Sequence, residues 1–138
     1  MYRTVHTFCT QAEYRELRST LHKEIQLILG NPVSFLMEVA VNEAINNALK
    51  SNRDQKPVTL CIRVTNYDRL IIRIKDNGKG FNAQDALSSV TASPEAIFEE
   101  KLLEESGRGL SIIASASDKV YYNRKGNEVL MMKYIRTL

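Results

Sequence analysis

The sequence has few large aromatic, crosslinking or helix-breaking residues. Among 138 residues there are no tryptophans, three prolines and two cysteines. Cys9 and Cys61 lie far apart and form neither a CxxC nor a Cys/His pattern, so we expect free thiols in a reducing compartment and no metal site at either one. With 43% apolar residues, the chain is predicted to form one globular domain over residues 1–138, with a single core.

Long apolar runs are also missing. No window approaches the roughly 18 consecutive apolar residues of a membrane-spanning helix, and the N-terminus lacks the apolar core of a signal peptide. We therefore expect a cytoplasmic protein without membrane association. The 19 basic and 16 acidic residues give a net charge of +3 and are scattered, which does not indicate direct nucleic-acid binding but is compatible with an acidic partner.

Several common catalytic motifs are absent. There is no G-x-x-x-x-G-K-[ST] and no G-x-G-x-x-G, which excludes the P-loop and dinucleotide-fold routes to a nucleotide. The two histidines, His6 and His22, fall in a predicted edge strand and beside the apolar stripe of a predicted helix. Neither indicates a nucleophilic triad.

The first half of the chain is predicted to begin with a short strand over residues 2–8. A capping box, Thr10-Gln-Ala-Glu13, then starts an amphipathic helix that ends at Gly30. Asn31-Pro32 is predicted to start a second helix, with Asn31 as the cap and proline at the first helical position. We expect this helix to run to about Leu49, with a core-facing apolar stripe formed by Met37, Val41, Ala44, Ile45 and Ala48.

The second half is predicted to be richer in strands. Apolar residues alternate over 58–64 and 70–74, and a closing hairpin is expected over 119–123 and 128–135. Between these hairpins, a helix is predicted from Leu110 to about Ser117. The pattern predicts an α/β fold of the α+β two-layer sandwich type, with a mixed, mainly antiparallel sheet of about five strands covered on one face by three helices.

Two polar residues of the second helix form the first candidate site. Glu43 and Asn47 are four residues apart, so they lie on one face about 6 Å apart along the axis. The amide oxygen of Asn47 suits Mg²⁺, which prefers oxygen ligands. Glu43, one turn earlier, would then orient or deprotonate a nucleophile near a γ-phosphate. Taken alone, such a pair is most often a solvated edge.

Two glycine motifs elsewhere in the sequence favour a functional role for Glu43 and Asn47. Asp76-Asn-Gly78-Lys-Gly80 follows a strand, where a carboxylate can accept from the exocyclic amine of adenine and the two glycines allow close backbone approach. Gly107 and Gly109 are predicted to precede a helix and to expose N–H groups to phosphate oxygens. In this order the three features predict a site for ATP and Mg²⁺.

These residues resemble the motifs of the GHKL ATPases, the Bergerat-fold family that includes histidine kinase catalytic domains and gyrase. The sequence is most similar to the stand-alone anti-sigma factor serine kinases. The resemblance implies Glu43 as the catalytic base, Asn47 as the Mg²⁺ ligand, Asp76 as the adenine contact and residues 81–106 as an ATP lid. The matching motifs lie at residues 41–48 and 76–81 and at Gly107, Arg108, Gly109 and Leu110.

The resemblance implies an ATP- and Mg²⁺-dependent protein serine/threonine kinase that is also an anti-sigma factor. Such a protein phosphorylates a STAS-type anti-sigma factor antagonist, binds a sigma factor and can form a homodimer, for which the N-terminal edge strand is available. A non-catalytic ATP-binding partner-switch module and a histidine kinase-like catalytic domain remain as alternatives.

Three residues depart from the family pattern. Ser51 and Asn52 stand where members often carry a histidine followed by a glycine. Ser111 follows the phosphate motif, where many members have glycine or an aromatic residue.

Overall fold

The alternation of apolar residues and the capping signals divide the part of the chain that the structure describes into five strands and three helices. The computed structural model describes residues 2–52, 56–78 and 105–135. In chain order the elements are β1 (Tyr2–Phe8), α1 (Gln11–Leu29), α2 (Val33–Ser51), β2 (Val58–Thr65), β3 (Arg69–Lys75), α3 (Glu105–Ala116), β4 (Lys119–Tyr122) and β5 (Glu128–Tyr134). The predicted lid over 81–106 lies, up to residue 104, outside the described residues.

The strands form one sheet in the order β1-β2-β3-β5-β4. Every neighbouring pair among the described strands is antiparallel. Between β2 and β3 the chain reverses through Asn66 and Tyr67, which have positive φ angles of 53° and 61°, as a tight hairpin turn requires. The predicted two-layer sandwich with a five-stranded sheet and three helices is therefore confirmed.

The core lies between the helices and one face of the sheet, which we call the inner face. Strands contribute every second residue to it, as the pleat of a strand requires. On α2 the predicted apolar stripe is confirmed, because each of its members is at least 95% buried. These members are Met37, Val41, Ala44, Ile45 and Ala48.

The start of α1 follows the predicted capping box with one change. Thr10 Oγ1 accepts from the Glu13 N–H at 3.2 Å, which satisfies one orphan donor of the first turn. The Glu13 carboxylate accepts from the N–H of Cys9 at 2.6 Å, one residue before the cap. Gly30 ends the helix with a φ of 71°.

The start of α2 differs from the prediction. Pro32 is the cap residue, and no side chain caps the helix. The Asn31 side chain instead accepts from Ser34 Oγ at 2.8 Å, and the helix continues beyond Leu49 to Ser51.

The predicted start of α3 at Leu110 is wrong, because the helix begins at Glu105. Glycine costs about 1 kcal/mol relative to alanine inside a helix, which is why Gly107 and Gly109 suggested a turn. Tertiary packing outweighs that cost, since Leu110, Ile113 and Ala116 of this helix are at least 97% buried.

Two smaller expectations concern thiols and membrane helices. Cys9 and Cys61 are free, as predicted. None of the described helices is both long enough and apolar enough to cross a bilayer.

Replacing Thr10 by alanine should lower the free energy of unfolding by about 1 kcal/mol, because the Glu13 N–H loses its acceptor. Equilibrium urea unfolding measures this loss. Ser19→Ala, at an exposed position within α1, is the matched control and should cause no loss. An equal loss in both variants would show that the cap does not stabilise the helix.

Candidate functional site

Two asparagines of α2 connect this helix to α1. The hydroxyl of Tyr14 donates to Asn42 Oδ1 at 3.1 Å, and Gln11 Nε2 donates to Asn46 Oδ1 at 3.0 Å. Both amide oxygens are therefore engaged in holding the two helices together. Asn42 and Asn46 are adjacent in sequence to Glu43 and Asn47, but they contact α1.

Glu43 and Asn47 lie beside α3. Both are half-buried, and a Cβ atom added to Gly109 would lie 3.1 Å from Glu43 Oε2 and 3.6 Å from Asn47 Nδ2. Gly109 of α3 thus lies directly beside the carboxylate and the amide. Gly107 lies in the first described turn of α3, and the N–H groups and the positive dipole end of a helix's first turn favour anions.

Asp76 follows β3 directly and is only 5% exposed. Its N–H donates to the carbonyl of Asn127 at 2.9 Å, and its Oδ1 accepts from the Gly78 N–H at 2.6 Å. The side chain of Ser51 lies beside this carboxylate, and its hydroxyl donates to the Ala48 carbonyl at 3.3 Å. The carboxylate is therefore held in one orientation at the strand end.

Burial raises the pKa of Asp76 above its ordinary value, because desolvation penalises the charged form. The Gly78 N–H, the Ser51 side chain and the charge of Lys125 oppose this shift. The net result is a buried carboxyl that favours its neutral form more than an exposed aspartate does. It remains an acceptor for a donor that enters the site.

The turn after Asp76 is tied to the C-terminal end of α2. A Cβ atom on Gly78 would overlap the carbonyl of Ser51, so glycine is required by this close approach. Asn52 Oδ1 accepts from the Asn77 N–H at 3.3 Å, and Asn77 Nδ2 donates to the Pro57 carbonyl at 2.8 Å. These contacts fix the distance between the two predicted motifs.

Asn123 organises the turn between β4 and β5. Its Oδ1 accepts from the N–H groups of Gly126, Asn127 and Glu128 at 2.7, 3.0 and 3.2 Å, and its Nδ2 donates to Asn127 Oδ1 at 2.7 Å. Asn127 is thereby held in place to accept from the backbone of Asp76. Asparagine before a glycine turn was the available sequence signal for this role.

A small cavity joins these groups. It lies between α2, the end of β3 and the turn before β5, and its free volume is about 20 Å³, which is room for one water. A purine ring can therefore enter only when the walls move apart. The wall residues include Ala44, Asn47, Ala48, Ile74, Asp76 and Val129.

The structure thus brings most of the predicted site residues together through α2. Asn47 and Asp76 line one cavity, Gly78 contacts the end of α2, and Gly109 contacts Glu43 and Asn47. Leu110 is 3% exposed and belongs to the interior. Gly107 and Arg108 lie within α3, where a turn before the helix had been predicted, and Gly80 lies outside the described residues.

Sequence reasoning missed the part played by Ser51. It had been noted only as a departure from the family pattern, yet it lies beside Asp76 and Gly78. Its position one turn after Asn47 was the only available signal, because helical spacing places it on the same face.

A family model described as histidine kinase-like ATPase domain matches residues 9–133 of the chain. The matched stretch contains both predicted motifs of the second half as well as Glu43 and Asn47. No curated protein matches the chain.

The donor set fits a magnesium ion that is shared with a nucleotide. Among residues 2–52, 56–78 and 105–135, no group of three or more His, Cys, Asp or Glu side chains is positioned to hold a metal. Mg²⁺ is commonly held by one or two protein oxygens together with phosphate oxygens and water. The half-buried amide of Asn47 beside α3 meets that requirement.

Replacing Gly78 by alanine should lower the free energy of unfolding by about 1–3 kcal/mol, because the new methyl group meets backbone that must move. Gly109→Ala is the matched control. Its methyl group meets the flexible end of Glu43, so stability should stay constant or rise by up to about 1 kcal/mol from helix propensity. Urea unfolding of both variants measures the difference, and equal losses would contradict the close approach at Gly78.

The raised pKa of Asp76 predicts a pH-dependent effect of Asp76→Asn. Below the ordinary pKa of 3.8 the carboxyl is protonated in both folded and unfolded chains and contributes nothing. As the pH rises through the raised folded value, ionisation destabilises the folded protein. Asparagine keeps the acceptor for Gly78 without ionising, so the stability of the variant relative to the natural protein should increase towards about pH 7.

Urea unfolding over a pH series measures this relative stability. Ser19→Ala, at an exposed position of α1 that does not titrate, is the control, and its relative stability should not change with pH. A relative stability of Asp76→Asn that is constant or falls with pH would contradict the raised pKa.

Proposed function

The chain belongs to the histidine kinase-like ATPase domain family, and we propose that it is an ATP- and Mg²⁺-dependent protein serine kinase that acts as an anti-sigma factor in a partner-switching pathway. Family membership supports ATP binding and kinase-like ATPase chemistry. The assignment to serine, to an anti-sigma factor antagonist and to a sigma factor is the proposal.

One observation supports the nucleotide site most directly. Helix α3 packs on the two polar residues of α2 at Gly109, while Asn47 also lines the cavity that contains Asp76. Asn47 therefore lies between two ends of the proposed site, which carry different chemical groups. One end offers a buried carboxylate, and the other offers a helix N-terminus beside a second carboxylate.

The end at Asp76 suits the base of ATP. Its carboxyl oxygens accept hydrogen bonds and are oriented by the Gly78 N–H, so the exocyclic amine of adenine is the appropriate donor. Ile74 and Val129 supply apolar walls for the faces of the ring. The cavity must become larger than its present volume of about 20 Å³ to admit the adenine ring.

The end at Glu43 suits the phosphates. N–H groups of the first turn of α3 favour phosphate oxygens, and Asn47 would hold Mg²⁺ together with those oxygens. When bound, the ion neutralises charge on the phosphates during transfer. Glu43 lies next to this position but is not needed to bind the base.

In the proposed reaction Glu43 accepts the proton of a serine hydroxyl from the partner protein. The serine oxygen forms a bond to the γ-phosphorus of ATP, the bond between that phosphorus and the bridging oxygen breaks, and ADP leaves. A positioned base of this kind contributes about 10²–10⁴-fold to a rate. Asn42 and Asn46 stabilise the helix that positions Glu43.

The choice of partner rests on the resemblance of the motifs to anti-sigma factor serine kinases and on the presence of Glu43 beside α3. An antagonist of the STAS type is the proposed phosphate acceptor, and a sigma factor is the proposed second partner. Because β1 is an edge of the described sheet, it offers backbone donors and acceptors to a second copy in a homodimer.

Two variants separate nucleotide binding from phosphoryl transfer. Asn47→Ala should weaken Mg²⁺-dependent ATP binding at least about tenfold, because a metal ligand is lost. Glu43→Gln should keep ATP affinity within about threefold and slow transfer about 10²–10⁴-fold. Titration calorimetry with MgATP measures the first effect, and transfer of labelled phosphate to a serine of a purified candidate antagonist measures the second.

Asn46→Ala is the control for Asn47, since its amide oxygen is engaged with Gln11, and it should retain MgATP binding. If Glu43→Gln transfers phosphate at the natural rate, Glu43 is not the base. If the natural protein binds MgATP and its partner but labels no serine, the kinase assignment fails and the non-catalytic partner-switch module replaces it.

A further inference from the structure

The sheet has a second face, opposite the helices, which we call the outer face. By strand alternation it consists of the residues between the buried positions of each strand. None of its side chains belongs to the core cluster among the described residues. Its members are Arg3, Val5, Thr7, Thr59, Cys61, Arg63, Thr65, Arg69, Ile71, Arg73, Lys75, Lys119, Tyr121, Glu128, Leu130, Met132 and Tyr134.

Charge is strongly segregated on this face. Among the described strand residues, this face carries six basic side chains and one acidic side chain. Glu128 is paired with Arg73 at 2.6 Å, and Asp68, in the turn before β3, lies 3.8 Å from Arg69 Nε. The modest net charge of the whole chain therefore hides a positive surface.

The middle of the outer face carries a patch of apolar residues. Cys61, Ile71 and Leu130 are half-buried, Val5 is 46% exposed and Tyr121 is 54% exposed. By strand register Arg73 lies between Cys61 and Leu130, and Arg63 lies between Arg3 and Ile71, so two arginines lie within this patch. Apolar residues together with arginine and tyrosine are the side chains that protein–protein interfaces favour.

Arg63 supplies an independent observation. It is half-buried on this face, and its Nε is buried without a hydrogen-bond acceptor among the described residues. Arginine presents its donors in a planar fork that matches a carboxylate. The Nε lacks an acceptor among the described residues, and the side chain as a whole is only half-buried, so part of it stays open to an approaching carboxylate.

We propose that the outer face is a docking surface for a protein partner that carries carboxylates among apolar residues, with one carboxylate received by Arg63. A second copy of this chain does not fit face to face, because six basic residues would meet six basic residues, and like charges opposite one another disfavour association. Nucleic acid would use the charges but would leave the apolar residues without a counterpart. The proposal does not depend on the proposed kinase activity, since the proposed nucleotide site lies on the other side of the sheet.

A crosslinking experiment tests this surface on the full chain. A benzophenone amino acid in place of Tyr121 is activated in extract of the host cell, and the crosslinked protein is identified, produced and titrated against the chain. We expect a partner with an acidic contact surface. Its affinity should fall at least about tenfold in the double variant Arg3→Glu/Lys119→Glu and should weaken as salt is raised.

Arg15→Glu/Lys23→Glu is the matched control, because it makes the same change in net charge at exposed positions of α1. It should alter the affinity less than twofold. Arg63→Gln, which keeps amide donors but loses the charge and the fork, should also weaken binding while leaving MgATP binding unchanged. Retained MgATP binding in every variant shows that the chain is folded.

Four results would overturn the proposal: no crosslinked protein, a crosslink only to a second copy of the chain, equal loss of affinity in the control variant, or an identified partner without acidic residues at the contact. Vesicles of phosphatidylglycerol and a 20-base-pair DNA duplex serve as competing probes. Binding of either one that disappears in Arg3→Glu/Lys119→Glu would assign the face to a membrane or to nucleic acid instead.

Discussion

The structure depends on the close packing of α2 against two neighbours at once. Towards the interior this helix presents Ala40, Ala44 and Ala48, which are at least 95% buried and lie at intervals of four residues along one stripe. Small side chains let the helix backbone approach the sheet. On its other side Glu43 and Asn47 lie next to Gly109 of α3. The same helix can therefore anchor the core and present polar groups to a site.

Placing a carboxylate inside such a tightly packed region has an energetic cost, and the surrounding backbone offsets part of it. Asp76 accepts from the Gly78 N–H and lies beside the Ser51 side chain, while its own N–H is satisfied by Asn127. None of these partners is a full charge in contact with the carboxylate, so its pKa stays raised. An acceptor that is oriented in advance needs little reorganisation when a donor arrives.

The sequence predicted those features that depend on local periodicity. Alternation located the strands of both hairpins, and helical spacing located the buried stripe of α2 and the pair formed by Glu43 and Asn47. It failed where tertiary packing overrides local preference, as at Glu105, where α3 begins although two glycines follow. It also missed the contact between Ser51 and Asp76, because 25 positions separate these residues and only the fold brings them together.

The positive charge of the outer face could not be predicted from the sequence, because it too depends on the fold. Basic residues of β1, β2 and β3 are scattered along the chain, and only strand register places them on one face. That same register connects the two sides of the sheet through β3, whose residues Ile71 and Arg73 lie on the outer face while Asp76 follows its last residue at the small cavity beside α2. Because β3 is a central strand, paired on both sides by β2 and β5, any displacement of Asp76 would have to be absorbed by these neighbours or transmitted along the strand. A partner on the outer face would therefore contact the strand that carries Asp76 at its end.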